Sequence, residues 1–260
     1  MKVTNMELNL KTKCIGRPFL WLDEIDSTNE ELKRMAAADA VHGTVLLADY
    51  QTGGKGRRGR TWDSPKGDNI YLSILLRPEL KPGEASMLTL IGALAVADSI
   101  EETTGSSCQI KWPNDLVLDS KKVCGILTEM STGVDGIHYV IVGIGINVNR
   151  NIFPEEIAHM ATSIDKGEGR EAIVTSLLFH FEEKYNLFLE YKNLAPFLDE
   201  YNGRLAGIGR QVQILSGGEG VVRTSHGIDE EGALIVSDEE GNEEKIISGE
   251  VSVRGLYGYV

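Results

Sequence analysis

The sequence predicts an α+β protein with a small SH3-like β-module at its C-terminal end. Up to about Gly207, strand-like runs are mixed with long helical stretches and lack the regular strand–helix alternation of a parallel α/β protein. After Gly207-Ile208-Gly209 the chain changes to short strand-like runs separated by turns rich in Gly, Asp and Glu. We therefore expect a first domain over residues 1–207 and a second over 208–260.

The first half of the chain gives clear signals for two helices and two strands. A helix is predicted to begin at Ser27, because residues 27–31 hold two overlapping Ser/Thr-x-x-Glu capping boxes, and Gly43 ends that segment. The apolar runs 44–48 and 70–75 are predicted strands on either side of a long connection. A long Leu- and Ala-rich helix is expected from Glu84 to Thr103, stopped by Gly105.

The second half predicts a run of strands, two helices and then the small β-module. Strands are expected at 109–112, 116–118, 123–130 and 139–146, with a tight hairpin turn at Asp119-Ser120. Helices are expected at about 171–191 and 196–202. The module's strands are predicted at 212–215, 220–225, 233–236, 245–247 and 251–253.

Charge and composition narrow the class of protein. The 260 residues are 42% hydrophobic and carry a formal net charge of −13, which disfavours a nucleic-acid partner outside a local basic patch. No run of about 18 apolar residues and no signal-peptide centre is found, so we expect a cytoplasmic protein without a membrane partner. Three widely spaced cysteines indicate reduced thiols, and five scattered histidines give no basis for assigning a metal site.

The most informative segment is the glycine-rich, cationic stretch Gln51–Trp62. Four of the six residues from Lys55 to Arg60 are cationic, although the protein as a whole is acidic. Such crowding of positive charge is costly unless an anion relieves it, and interleaved glycines allow backbone N–H groups to approach that anion closely. The pattern predicts a site for phosphate or carboxylate groups rather than a solvated basic loop.

The sequence partly matches two nucleotide-binding motifs but completes neither. Residues 54–61 nearly spell a P-loop, but Arg60 stands in the lysine position and a strand follows where a helix is required. Gly143-Ile144-Gly145 lacks the third glycine of a dinucleotide fingerprint and does not open a helix. Ile110–Asp115, with Pro113 after Trp112, is compatible with an ordinary turn when taken alone, as is Lys122 on a hairpin.

Taken together, these segments resemble the biotin protein ligases. The motifs that carry the resemblance are Ser27-Thr28-Asn29, Gln51 with the basic loop and Trp62, Lys111–Asp115, Lys122–Gly125, and Gly143–Asn147, in that family's order and approximate spacing. The likeness covers about residues 20–150 and extends more loosely to Ser248-Gly249-Glu250-Val251. It implies the biotin–lipoate ligase fold, a mixed sheet with flanking helices related to class II aminoacyl-tRNA synthetases.

The resemblance also implies a reaction and its site residues. Biotin and ATP would form biotinyl-5′-adenylate and pyrophosphate with Mg²⁺ present, and the biotinyl group would then pass to a lysine of a biotin carboxyl carrier domain. The implied catalytic residues are Lys122, Arg57, Arg60 and Asp115. The implied biotin-binding residues are Ser27, Thr28, Asn29, Gln51, Lys55, Gly56, Arg57, Lys122, Gly125, Gly143 and Gly145. The implied ATP-binding residues are Arg57, Arg60, Trp62, Asn114, Lys122 and Asn147.

Two features depart from the family pattern, and several alternatives stay open. Lys55 stands where many members have Arg, so it keeps the charge but loses the bidentate fork. Only about 20 residues precede Trp21, so we expect no N-terminal DNA-binding repressor domain. A lipoate protein ligase and a non-catalytic biotin sensor are the alternatives, with a transcriptional regulator third. The acceptor protein, the base for its lysine, and the choice between monomer and homodimer are left open.

Overall fold

A computed structural model of the protein describes residues 8–164, 169–216, 219–248, 251–255 and 259–260. Over these residues the chain forms two β-sheets and six α-helices. The first sheet holds β1 (Phe19–Leu22), β2 (Val45–Ala48), β3 (Asn69–Leu76), β4 (Gln109–Lys111), β5 (Asp115–Leu118), β6 (Lys121–Gly133) and β7 (Gly136–Asn147). The second holds β8 (Gln211–Ser216), β9 (Glu219–Ile228), β10 (Leu234–Ser237), β11 (Glu243–Ile246) and β12 (Val251–Gly255). The helices are α1 (Thr28–Ala37), α2 (Pro82–Ser86), α3 (Leu88–Thr104), α4 (Glu155–Ala158), α5 (Arg170–Tyr191) and α6 (Leu198–Arg204).

The first sheet is mixed, as the sequence predicts. Its strand order is β1-β2-β3-β7-β6-β5-β4; β1 runs parallel to β2, and every other neighbouring pair is antiparallel. The predicted hairpin turn at Asp119-Ser120 is confirmed, with positive φ angles of 50° and 62°. The edge strand β1 was not predicted, because its four residues are too few to show a two-residue period.

Helices cover both faces of this sheet. One apolar core joins α3 and α5 to the sheet, and a smaller core packs α1 against residues such as Leu46, Leu75 and Ile141 on the other face. All eight residues of β3 are buried, which explains why its sequence is a continuous rather than an alternating apolar run. Among the described residues, Pro82–Thr104 is apolar enough to span a membrane (mean hydropathy 1.3), but 72% of its apolar window is buried inside the protein.

Two helix predictions need correction. Ser27 is the N-cap of α1, but its side chain makes no capping hydrogen bond, so the predicted capping boxes do not form. The glutamates are engaged elsewhere: Glu30 binds Lys33 and Lys55, and Glu31 binds Arg34. The single helix expected over 84–103 is two helices, α2 and α3, which meet at Met87.

The C-terminal residues form an antiparallel sheet of order β11-β10-β9-β8-β12, as expected for an SH3-like module. This module contacts the motif 111–115, because Trp112 Nε1 donates to Gly232 O at 3.0 Å. Just before the module, Ala206 N–H donates to Ile110 O of β4 at 2.8 Å. Gly249 and Glu250 of the C-terminal motif lie outside the described residues. The domain boundary at residue 207 stays a prediction.

Candidate active site

The sequence-predicted residues meet on the face of the first sheet that carries α1. The β2–β3 connection, which contains the basic loop, lies over the glycine-containing ends of β6 and β7 and beside the N-terminus of α1. Three adjoining cavities lie beneath and beside this loop. Trp62 and Lys122 line all three, so the cavities share one central wall.

The first cavity has a volume of about 60 Å³ and ends in a buried polar network. Thr28 Oγ1 donates to Gln51 Oε1 at 3.2 Å, and Gln51 Nε2 donates to Ser64 Oγ at 2.9 Å. Ser73 Oγ lies 2.7 Å from Thr28 Oγ1 and 2.6 Å from Asn29 Oδ1. Linked hydrogen bonds of this kind hold buried side chains in fixed orientations. The cavity therefore presents a rigid polar end, suited to a small polar ring.

Three glycines permit the close packing around this cavity. A Cβ at residue 143 would lie 2.1 Å from Asn29 Oδ1, and one at residue 145 would lie 2.6 Å from the Trp62 ring. A Cβ at residue 125 would lie 2.9 Å from the same ring and 3.1 Å from Lys122 Nζ. None of these positions has room for a methyl group. In this structure the glycines admit Asn29 and Trp62, side chains of the chain itself.

A partly buried ion pair stands at the junction of the cavities. Lys122 Nζ lies 2.6 Å from Asp115 Oδ1, and Asn114 Nδ2 donates to the same oxygen at 3.0 Å. Arg57 Nη1 in turn donates to Asn114 Oδ1 at 2.7 Å. Burial opposes ionisation of Asp115, but the charge and hydrogen bond of Lys122, with a hydrogen bond from Tyr259, hold its pKa below the ordinary value. Asp115 is therefore a carboxylate that fixes the position of the lysine.

The second cavity, of about 120 Å³, is cationic. Arg57, Arg58, Arg60 and Lys122 line it, with Asp115 as the acidic residue on its wall. Burial lowers the pKa of Arg57; the charge of Asp115 opposes this effect, while Arg58 and Arg60 add to it. Positive charge concentrated at one place is the arrangement that binds polyphosphates.

The third cavity, of about 300 Å³, is mainly apolar and opens from the cationic one. Its apolar wall comes from Phe153, Pro154, Ile157, Met160 and Ala161, in the segment between β7 and α5. This segment is tied to the sheet at Lys122, whose N–H donates to Met160 O at 2.7 Å, and Asn147 Nδ2 donates to Thr162 O at 3.0 Å. Asn147 therefore lies on this cavity and also holds its wall in place.

The first cavity is too small to admit an organic ligand as it stands. A volume of 60 Å³ has room for about two water molecules, whereas pockets for small-molecule ligands typically measure about 300–1,000 Å³. The Trp62 ring, which rests on Gly125 and Gly145, belongs to the basic loop and takes up part of the groove. Movement of this loop is the simplest way to enlarge the cavity.

The structure places the sequence-predicted residues as follows. The first cavity is lined by Ser27, Thr28, Asn29, Gln51, Lys55, Gly56, Arg57, Trp62, Asn114, Lys122, Gly125, Gly143 and Gly145. Arg60 lines the cationic and apolar cavities, Asp115 the cationic one, and Asn147 the apolar one. Asn114 does not line the apolar cavity and instead bridges Arg57 and Asp115. Lys55 Nζ points to Glu30 of α1, at 2.7 Å.

Several lining residues were missed by sequence reasoning. Tyr71 sits inside a buried strand, where nothing in the local pattern distinguishes it from core residues. Ser73 of the same strand lines no cavity, but it hydrogen-bonds to Thr28 and Asn29, which do. Arg150 and Phe153 contact each other, with the guanidinium carbon 4.7 Å from the ring centroid, and both line the apolar cavity. An arginine followed closely by an aromatic after the Gly143–Asn147 motif was the available signal. Tyr259 lies more than ninety residues away in sequence from the other lining residues.

The part of the chain that the structure describes holds no group of three or more His, Cys, Asp or Glu placed to bind a metal ion. The carboxylate nearest the cationic cavity, Asp115, is already paired with Lys122. Such a donor set does not fit a resident Mg²⁺.

Comparisons with known proteins agree with this geometry. Residues 21–147 match a family model described as the biotin/lipoate A/B protein ligase family, and residues 207–254 match the biotin protein ligase C-terminal domain. The bifunctional ligase/repressor BirA of Bacillus subtilis is 34% identical over 256 residues, covering 96% of this chain and 78% of the relative. The biotin–[acetyl-CoA-carboxylase] ligase of Mycobacterium tuberculosis is also 34% identical, with 94% of each chain covered. The Aquifex aeolicus biotin protein ligase, solved with biotin and ATP, superposes with a TM-score of 0.79 at 35% identity, over 90% of this chain and 97% of that one.

Proposed function

The chain belongs to the biotin protein ligase family, and we propose that the three adjoining cavities carry out its ATP-dependent reaction in two steps. Biotin and ATP are the substrates. The observation that carries the assignment of subsites is the junction at Trp62 and Lys122, where a polar, a cationic and an apolar cavity meet. A carboxylate held in the first cavity would face a phosphate held in the second.

The first cavity is the proposed biotin subsite. Its closed end offers hydroxyl and amide groups from Thr28 and Gln51, which match the N–H and C=O groups of the ureido ring. The Ser27 hydroxyl does not cap α1 and so is available to a ligand. The carboxylate end of biotin would extend towards Arg57 and Lys122, which line the same cavity.

The other two cavities are the proposed ATP subsite. The cationic cavity suits the phosphates because Arg57, Arg60 and Lys122 converge there. The apolar cavity suits the adenine ring, which can pack between aliphatic side chains and the Arg150–Phe153 pair. We assign Asn147 to this subsite. Asn114 is assigned to positioning, since it joins Arg57 to the Lys122–Asp115 pair.

In the first step, a biotin carboxylate oxygen forms a bond to the α-phosphorus of ATP, and the bond from that phosphorus to the pyrophosphate oxygen breaks. Two anions must approach each other, so positive charge has to balance the negative charge that accumulates at phosphorus. Lys122 is placed for this because it borders both subsites and Asp115 fixes its ammonium group. Arg57 and Arg60 contribute charge from the loop. Mg²⁺ enters with ATP as part of the nucleotide substrate.

In the second step, the amine of an acceptor lysine attacks the biotinyl carbonyl carbon and AMP leaves with the bonding electron pair. The proposed acceptor is the carrier domain of a biotin-dependent carboxylase, in keeping with the M. tuberculosis relative, whose name specifies acetyl-CoA carboxylase. The amine must lose a proton during attack. Asp115, with its lowered pKa and its tie to Lys122, is a weak base, so we assign it to orientation rather than proton removal.

The localisation, partners, domain boundary and oligomeric state are also proposals. We infer a cytoplasmic enzyme, supported by three free cysteines, and one without a nucleic-acid or membrane partner, supported by the net charge of −13 and the burial of Pro82–Thr104. The catalytic domain is proposed to end near residue 207, where the second family match begins. We propose a homodimer that pairs through an edge of the first sheet, and sedimentation equilibrium would test this by measuring the molar mass in solution.

The test is a mass measurement on the acceptor. The purified protein is incubated with MgATP, a biotin carrier domain, and either biotin or lipoate. We expect an increase of one biotinyl group, with no lipoyl increase, and loss of the increase when the acceptor lysine is replaced by arginine. An increase of one lipoyl group would instead identify the protein as a lipoate protein ligase. Tight biotin binding with no increase on the carrier would indicate a sensor.

A further inference from the structure

The penultimate residue of the chain reaches into the active site. The Tyr259 hydroxyl donates a hydrogen bond to Asp115 Oδ2, the carboxylate oxygen opposite the one that binds Lys122. The Tyr259 ring lies under Lys111 Nζ, 3.2 Å from the ring centroid, and the side chain also lines the apolar cavity. One residue thus touches the motif 111–115 at both its ends and forms part of a substrate cavity.

We propose that Tyr259 is a positioning residue for adenylation, which holds Asp115 in the orientation that fixes Lys122 and closes the ATP side of the site with its ring. This inference rests on the proposed roles of Lys122 and of the apolar cavity. It extends them, because it makes the end of the chain a part of the active site.

The geometry around Asp115 supports this role. Its two oxygens are held from opposite sides, Oδ1 by Lys122 and Asn114 and Oδ2 by Tyr259. A buried carboxylate held at both oxygens cannot turn about its terminal bond without leaving a polar group unpaired. Without the tyrosine hydroxyl, only Oδ1 would keep the donors named here, and Lys122 would be held by a carboxylate free to rotate.

The ring makes a separate contribution. Lys111 is 9% exposed, and its charge acts on Asp115 as well as on the Tyr259 ring. The ring face contributes to holding the ammonium group through a cation–π interaction. The same ring stands beside Arg60, Asn147 and Arg150 on the apolar cavity. Loss of the ring would remove the cation–π contact with Lys111 and expose the nucleotide to water.

The remainder of the C-terminal module is anchored to the same motif. Gly232 O accepts a hydrogen bond from the indole of Trp112, and Ala206, just before the module, bonds to Ile110; both contacts lie immediately before the turn that carries Asn114 and Asp115. The Tyr259 contact reaches the charged groups of this segment. This arrangement explains how a residue so distant in sequence can have a fixed place in the site.

Two substitutions separate the hydroxyl from the ring. Tyr259→Phe removes the hydrogen bond and keeps the ring, so we expect kcat for biotinyl-adenylate formation to fall about tenfold with the KM for MgATP within twofold of wild type. Tyr259→Leu removes both, so we expect the same loss in kcat and a rise of about tenfold in the KM for MgATP. Tyr191→Phe is the matched control, because Tyr191 is 56% exposed at the end of α5 and lines none of the three cavities.

The outcomes distinguish this inference from the proposed function. If wild type forms the adenylate and Tyr259→Phe matches it in both constants while Tyr191→Phe is also normal, the positioning role is wrong and the ligase assignment stands. If kcat and KM change together in both Tyr259 variants, with a lower melting temperature, the residue has only a structural role and the proposal is overturned. If wild type itself forms no adenylate, the proposed function fails instead.

Discussion

Replacing Gly143 by alanine tests the packing of the biotin subsite. The new Cβ would lie 2.1 Å from Asn29 Oδ1, 2.8 Å from its Cγ and 2.9 Å from its Nδ2, whereas ordinary contacts begin near 3.4 Å. The Asn29 amide would have to move by more than an ångström. It is held in place by Ser73 Oγ at 2.6 Å and by Glu129 Oε2 at 2.8 Å, so movement breaks these hydrogen bonds.

The expected cost follows from the bonds that are lost. A neutral hydrogen bond contributes about 1 kcal/mol and one to a charged group about 1.5–3 kcal/mol, so Gly143→Ala should destabilise the protein by about 3 kcal/mol. For a chain of this size that corresponds to a fall of roughly 6–12 °C in melting temperature. Asn29 and Thr28 both line the first cavity and both bond to Ser73 Oγ, so biotin affinity should fall together with stability.

Thermal melts and calorimetric titration with biotin measure the two effects. Gly203→Ala is the matched control, because Gly203 lies in helix α6 and a Cβ there would meet no atom within 4 Å. Alanine at this helical position should leave the protein unchanged or stabilise it by up to about 1 kcal/mol. If Gly143→Ala melts and binds biotin like wild type, the account of this cavity is refuted.

The remaining predictions concern charge and motion in the loop and its neighbours. Arg57→Ala should slow adenylation about 10²–10³-fold, while Lys66→Ala, an exposed cation of the same connection, should stay within about twofold in the same assay. Asp115→Asn should cost about 3 kcal/mol between pH 5 and 8 in denaturant melts. Because the folded pKa of Asp115 is lowered from 3.8, this cost should be complete above that pH and vanish as the pH falls through the lower value; a difference growing towards acid would contradict the ion pair. Amides of residues 53–65 should exchange rapidly in the free protein and slowly with biotin and ATP bound, and uniform protection in the free protein would rule out loop closure.

The fold was predicted well where local chemistry determines it. The helix start at Ser27 and the turn at Asp119-Ser120 depend on a few neighbouring residues, so the sequence identifies them. The strand β1 depends on tertiary structure, because it is ordered by pairing with β2. The break between α2 and α3 at Met87 is likewise not indicated by the local sequence pattern. The capping boxes failed for a related reason, because Lys33, Lys55 and Arg34 compete for the same glutamates.

In the candidate site, too, residues in local motifs could be predicted, whereas contacts between distant residues could not. Arg57, Arg60, Lys122 and the paired glycines occur in dense motifs, and the structure brings them together around the cavities. The partner of Lys55 could not be foreseen, because Glu30 lies 25 positions earlier and only the fold brings the two together. The contact of Tyr259 with Asp115 spans 144 positions, so no local pattern indicates it.

The central claim, that biotin is adenylated where the three cavities meet, is tested most directly by the exchange of labelled pyrophosphate into ATP without an acceptor protein. The account predicts exchange in wild type only when biotin is present. It predicts the loss of exchange in Lys122→Ala and normal exchange in Lys121→Ala, whose residue neighbours Lys122 on β6 but is exposed and lines none of the three cavities. Exchange that needs no biotin, or that persists undiminished in Lys122→Ala, would contradict the claim.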